Sequence, residues 1–332
     1  MVIHPWAWGI LALAAIGLVV IDFLGHARNP HPPTAVEAAR WTLFYAGLAG
    51  LFGVGIWLTN GGLYAQEFYA GWAMEWSLSV DNLFVFILIL KAFRVPRENQ
   101  QKALLLGIVI ALLLRLVFIL LGAALVSRFS WVFFIFGLWL LWTAFSQIRE
   151  TARGSDEDEE YHESGFIRAV RRVLPITDGF IGNRMLFRHG GRTYITPMLV
   201  VVLALGSADL MFAFDSIPAI FGITQQAFLV FACNVFALMG LRQLFFLVDA
   251  LLSKLVYLGY GLGVILSFIG IKLILEALHA NTLPFINGGS GVEWAPEISV
   301  SVSLGVIVVT LAVTVVASLI RSAMDEGDAH GN

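Results

Sequence analysis

Charge is what this chain has least of. Asp, Glu, Lys and Arg make up 13% of its 332 residues, and 59% are hydrophobic, whereas a soluble domain carries about 25% charged residues. Such a composition suits a lipid-facing surface and not a hydrated one. The net charge of −3 and the lack of any basic block interleaved with aromatics argue against nucleic acid as a partner. Cys233 is the single cysteine, so an intrachain disulfide and a thiolate metal cluster are both excluded; within its apolar run it reads as a packing residue. There is no His-Glu-x-x-His, no Gly-x-Ser-x-Gly and no glycine-rich phosphate loop ending in Lys-Ser or Lys-Thr, which argues against an enzyme, against ATP hydrolysis and against an organic cofactor. The stretch Met1 to Trp8 lacks a basic region, and no small-residue cleavage site ends the first apolar run, so that run reads as a retained helix and not a signal peptide.

What the chain does have is apolar runs of membrane-crossing length. About 20 helical residues span about 30 Å of hydrocarbon, and only helices satisfy their own backbone groups there. Nine such runs are legible: Trp6 to Leu24, Ala39 to Leu58, Phe68 to Leu90, Leu104 to Val126, Trp131 to Ile148, Tyr194 to Ile220, Ala227 to Val248, Val256 to Leu278 and Ile298 to Ile320. The expected fold is therefore all-α and polytopic. Lys and Arg gather in the loops after spans one, three and five, whereas Arg128 stands alone on the opposite side. The positive-inside rule then places the N-terminus outside and the C-terminus in the cytoplasm. Trp6, Trp8, Trp131, Trp139 and Trp142 read as interfacial anchors. The basic stretch Phe166 to Val173 is either a helix resting on anionic headgroups or a solvated linker.

The two halves repeat. Glu75-Trp-Ser-Leu-Ser-Val-Asp81-Asn82 in span three is matched by Asp209-Leu-Met-Phe-Ala-Phe-Asp215-Ser216 in span six. Each motif is followed by a glutamine pair (Gln100 and Gln101, then Gln225 and Gln226) and by an arginine inside the next span (Arg115, then Arg242). Units of three helices enter the membrane in opposite directions, which predicts a 3+3 inverted repeat, an arrangement of secondary transporters that alternate access around a midplane site. The chain divides accordingly into two N-terminal transmembrane helices (1–62), a first repeat (63–148), a cytoplasmic loop (149–194), a second repeat (195–280), and an extracytoplasmic loop, last transmembrane helix and cytoplasmic tail (281–332).

Carboxylates inside a membrane are expensive and normally face a counter-ion, a polar cavity or a transported ion. At about 100° per residue, Glu75, Ser79 and Asn82 share one helical face, as do Asp209 and Ser216. Asp81 and Asp215 lie about 120° off that strip if the helices are regular, so four-way convergence needs crossing helices or an interruption such as Pro218. Glu75, Asp81, Asn82, Asp209, Asp215 and Ser216 are the candidate cation ligands. An all-oxygen donor set suits a hard divalent cation, whereas Met74 and Met211 beside the acids would tilt a site towards a softer metal. Alternatively the acids pair with Arg115, Arg242 and Lys272 to fix helix packing. Lys272 and Glu276, one turn apart, read as a structural pair. Glu67 and Asp249 read as solvated helix ends, Asp22, His4, His26 and His31 as interfacial, and the run Gly259-Tyr-Gly261-Leu-Gly263 as a device for close helix packing.

The two acidic segments, Glu75 to Asn82 followed by Leu-Phe-Val-Phe and Ser207 to Ala219, resemble the paired signatures of the TerC family of bacterial membrane proteins, with its Alx-like branch the best match in pattern. The resemblance spans roughly Phe68 to Leu278. It implies kinship with the lysine-exporter superfamily and manganese export across the inner membrane, with Mn2+ as the transported substrate and Glu75, Asp81, Asp209 and Asp215 as the acidic positions. Two other readings stay open: an amino-acid exporter of the lysine-exporter type, and a membrane scaffold or secretion partner whose buried acids are structural. Protein partners beyond the lipid bilayer are not indicated.

Overall fold

The computed structural model describes residues 3–23, 35–129, 131–153, 177, 179–182, 184–189, 192–248, 255–281, 283, 286–292 and 294–330. The side chains of Asp81 and Arg242 fall outside what is described, as do Asp249, His26, His31 and the basic stretch Phe166 to Val173. The described chain is helical apart from one small hairpin. Its elements are α1 (Pro5–Asp22), α2 (Ala35–Asn60), α3 (Gly62–Ala92), α4 (Arg97–Arg128), α5 (Val132–Arg153), β1 (Leu186–His189), β2 (Arg192–Ile195), α6 (Pro197–Phe221), α7 (Ala227–Val248), α8 (Leu258–His279) and α9 (Val300–His330). Seven of these helices (α1, α2, α4, α5, α6, α8 and α9) are long and apolar enough to cross a membrane, which makes this a multi-pass membrane protein. In α7 the apolar segment Ala227–Leu241 is shorter. Over its 31 residues, α3 carries Glu67, Glu75, Asp81 and Lys91.

The helices outrun the apolar stretches that signal them. α3 begins at Gly62 and α4 at Arg97, six and seven residues before the apolar stretches that signal them. Pro197 opens α6 at a position where its missing N–H is not needed. A hairpin lies largely within the segment expected as a cytoplasmic loop: Leu186 pairs with Ile195 and His189 with Arg192 in antiparallel register. The sequence between the strands is Gly190-Gly191, a pair favoured in two-residue hairpin connections. Asn99 near the start of α4 ties this region down by donating to the Gly182 carbonyl at 3.1 Å.

Two packing relations position the site. α3 lies against α7, and α4 against α6, to comparable extents, while α5 packs on α8 more extensively than any other pair. Close approach of α5 and α8 relies on glycine: a Cβ on Gly137 would sit 2.8 Å from the Gly270 carbonyl, and one on Gly263 would overlap Ile148 Cγ1. The run Gly259 to Gly263 works on two faces, with Gly259 and Gly263 turned to α5 and Gly261 turned to Thr314 of α9. Cys233 is fully buried on α7, its Sγ 3.4 Å from the Phe68 carbonyl and pressed against Gly71 of α3.

Candidate functional site

The centre of the bundle holds one arginine and two acids, all buried. Arg115 of α4 has no solvent exposure; Glu75 of α3 is at 0% and Asp209 of α6 at 1%. Arg115 donates from Nε to Asp209 Oδ2 at 2.7 Å and from Nη2 to Asp209 Oδ1 at 3.2 Å. This is a parallel two-bond fork along one edge of the guanidinium. The opposite end, Nη1, meets Glu75 Oε1, Ser216 Oγ of α6 at 3.2 Å and Asn234 Oδ1 of α7 at 2.5 Å. The Asn234 amide donates from Nδ2 to the Val230 carbonyl at 2.9 Å, which fixes its oxygen towards the arginine. Glu75 Oε2 is buried with no donor in hydrogen-bond geometry among the described residues.

Of the six candidate ligands, the structure brings Glu75, Asp209 and Ser216 to one point. Asn82 is also buried, on the same face of α3. Ser79 completes that strip, and its buried hydroxyl makes no hydrogen bond among the described residues. Asp215 lies elsewhere, as the helical geometry requires: α6 continues through Pro218 without a break, so the residue before Ser216 faces away. Its Oδ1 accepts from Trp139 Nε1 at 2.7 Å and Thr143 Oγ1 at 3.1 Å, both on α5. Trp139 therefore serves as a donor to a carboxylate and not simply as an interfacial anchor. Met211 is 67% exposed on the outer face of α6, which removes it from the donor set. Among the described residues no group of three or more His, Cys, Asp or Glu side chains is placed to hold a metal ion.

Asn234 was not among the sequence candidates. Its signal is a carboxamide isolated in the apolar run Ala227 to Leu241, where each polar side chain must find a partner or be left desolvated. A second missed site is at Asp22, expected at the interface but buried at 1%. Tyr45 of α2 donates to its Oδ1 at 2.9 Å, and Gln243 of α7 approaches at 3.5 Å, because α1 ends inside the contact of α2 with α7. Glu67 is likewise not merely a solvated end, since Thr224 donates to its Oε2 at 2.5 Å. Lys272 donates to Ser303 of α9 at 3.2 Å, and Gln225 donates to Glu276 at 2.7 Å, so each member of the expected Lys272–Glu276 pair also has a polar partner outside α8.

Three relatives frame this geometry. An uncharacterized membrane protein of Mycobacterium tuberculosis is 45% identical over 311 residues, covering 94% of this chain and 78% of its own. The chloroplastic thylakoid membrane protein TERC of Arabidopsis thaliana is 37% identical over 279 residues, 84% of this chain and 67% of its own. The Escherichia coli protein named as a candidate membrane-bound redox modulator, Alx, is 33% identical over 319 residues, 93% of each chain. No solved structure matches the chain. The model of the integral membrane protein TerC family matches residues 61–326, which takes in the whole of α3 to α8 and every residue of the buried cluster; the chain belongs to the TerC family.

Proposed function

We propose that the protein is a secondary transporter that exports a divalent metal cation, with Mn2+ the first substrate to test, and that it is not an enzyme. The observation that carries this reading is the convergence of Glu75 and Asp209, the leading acids of the two repeated motifs, on one fully buried point between α3, α4, α6 and α7. Their oxygens, with those of Ser216 and Asn234, form the donor set a hard cation prefers. The contact pattern supports an inverted repeat of α3–α5 and α6–α8. Exchanging the two units maps the α3–α7 contact onto α6–α4 and leaves α5–α8 unchanged. In this reading the nine helices all span the bacterial inner membrane, the N-terminus is outside and the C-terminus cytoplasmic. The basic residues of the α3–α4 turn and of the hairpin then face the cytoplasm.

A second reading has a specific observation behind it. Arg115 and the α5 donors already satisfy Asp209 and Asp215, as a purely structural role would require. Thiol redox chemistry is not proposed, because the only cysteine is buried in the α3–α7 contact. Uptake of radiolabelled Mn2+ into inside-out vesicles separates the two readings. Export predicts uptake by the parent protein that is abolished by Glu75→Gln at matched protein amounts. Absence of uptake above empty vesicles, with folded protein present, makes the scaffold role the better account.

A further inference from the structure

We infer that the Nη1 end of Arg115 is the resident cation of an oxygen cage built by Glu75, Ser216 and Asn234, and that a divalent cation binds by displacing it. The inference rests on the cation-transport reading and adds to it a competitor within the protein. Nη1 carries two protons but lies against three oxygens from α3, α6 and α7. Glu75 contributes a fourth oxygen, Oε2, that is buried and receives no donor among the described residues. The cage thus has more acceptors than Nη1 can serve. Carboxylate, hydroxyl and carboxamide oxygens around one point are the set that Ca2+- and Mg2+-like ions use, and Oε2 is available to make the carboxylate bidentate.

The fork to Asp209 is what makes displacement feasible. Nε and Nη2 stay paired with Asp209, so a guanidinium whose Nη1 is pushed aside is not left as an unpaired buried charge. Charge counting agrees. Two carboxylates and one guanidinium give a formal −1, and adding a divalent cation gives +1, so neither state holds more than one uncompensated charge. Without the arginine, the empty site would hold two bare carboxylates at membrane depth, the most costly arrangement of the three. Arg115 lets the carrier return empty, and the substrate competes with it.

The test uses the purified full-length protein in detergent, with Mn2+ as the probe and thermal unfolding and equilibrium Mn2+ binding as readouts. Arg115→Gln removes the competitor. It is expected to unfold earlier than the parent in chelator, to regain stability when Mn2+ is added, and to bind Mn2+ about tenfold more tightly, because the binding-competent state is no longer occupied from within. Asn234→Ala removes a cage oxygen without changing charge and is expected to weaken Mn2+ binding by about tenfold or more. Loss of stability in Arg115→Gln that Mn2+ does not reverse, or Mn2+ binding weaker than in the parent, overturns the inference and makes Arg115 a fixed structural cation. If Arg115→Gln does not yield folded protein, unchanged Mn2+ affinity in Asn234→Ala overturns it instead. The transport reading fails separately, when the parent shows no vesicle uptake; uptake by the parent with either overturning result leaves transport standing and removes only the displacement.

Discussion

Glu75 and Asp209 both contact Arg115, but their neutralisation should not be equally damaging. In Asp209→Asn one of the two oxygens in the fork becomes an NH2 group facing either Nε–H or Nη2–H, donor against donor. Arg115, with no exposure, is left with a single counter-ion. Breaking a buried pair in this way costs about 3–5 kcal/mol. Glu75→Gln is gentler, since the amide oxygen can still accept from Nη1, and Asp209 continues to neutralise the arginine through two bonds. Interhelical hydrogen bonds in membrane bundles contribute about 0.6 kcal/mol on average and rarely above about 1.7, which sets the scale for Glu75→Gln at about 1 kcal/mol. The predicted gap is therefore about 2–4 kcal/mol, a factor of about 30 or more in the unfolding equilibrium. Reversible unfolding in mixed micelles of a mild detergent and dodecyl sulfate, followed by tryptophan fluorescence, measures it. A Glu75→Gln variant as unstable as Asp209→Asn would refute the division of labour between the two ends of the guanidinium.

Four further substitutions, one of them a control, test the surroundings. Asp215→Asn keeps an oxygen able to accept from Trp139 and Thr143 and should shift stability by under about 1 kcal/mol, so loss of Mn2+ uptake in that variant at parental protein levels would assign Asp215 to the cation path and retention would assign it to packing. Gly137→Ala places a Cβ 2.6 Å from Ile274 Cγ1 and 2.8 Å from the Gly270 backbone oxygen; backbone cannot yield as a side chain does, and the expected loss is about 1–3 kcal/mol in the same unfolding assay. Gly47→Ala, with nothing within 4 Å of the added carbon, is the matched control and should be neutral or slightly stabilising. Tyr45→Phe removes a donor from buried Asp22 and should cost about 1–3 kcal/mol, whereas a change under about 0.5 kcal/mol would mean that water replaces the phenol.

The helical framework is readable from sequence because hydrocarbon imposes one solution on the backbone and a fixed length on each crossing. The hairpin is not, since strands of four residues bearing Arg and His offer no alternation long enough to separate from a polar loop. At the site, helical periodicity alone puts Glu75, Asp209 and Ser216 on facing strips and turns Asp215 away, and the unbroken α6 follows that geometry despite Pro218. Periodicity cannot say which neighbour meets which strip. Hence Asn234, which has no partner in the repeated motifs, goes unnoticed, and Asp22 is taken for an interfacial residue because a span end looks solvated until the helix packed over it is known.

The two ends of Arg115 differ in how many helices they tie together, and this bears on how the bundle could open. The Asp209 fork joins α4 to α6 only, whereas Nη1 draws in α3, α6 and α7 at once. Any rocking of α3 with α7 against α4 with α6 stretches the hydrogen bonds to Glu75 and Asn234 and leaves the fork intact. Bistable packing, in which one set of bonds gives way as a unit, is what alternating access requires, and the cage is built on the bonds that would give way. A cation seated there would hold α3 and α7 to α6 through stronger bonds than Nη1 makes, so occupancy and closure would be coupled through the same oxygens. If the protein transports by rocking α3 with α7 against α4 with α6, its two open states would differ at Glu75 and Asn234 while sharing the Arg115–Asp209 pair.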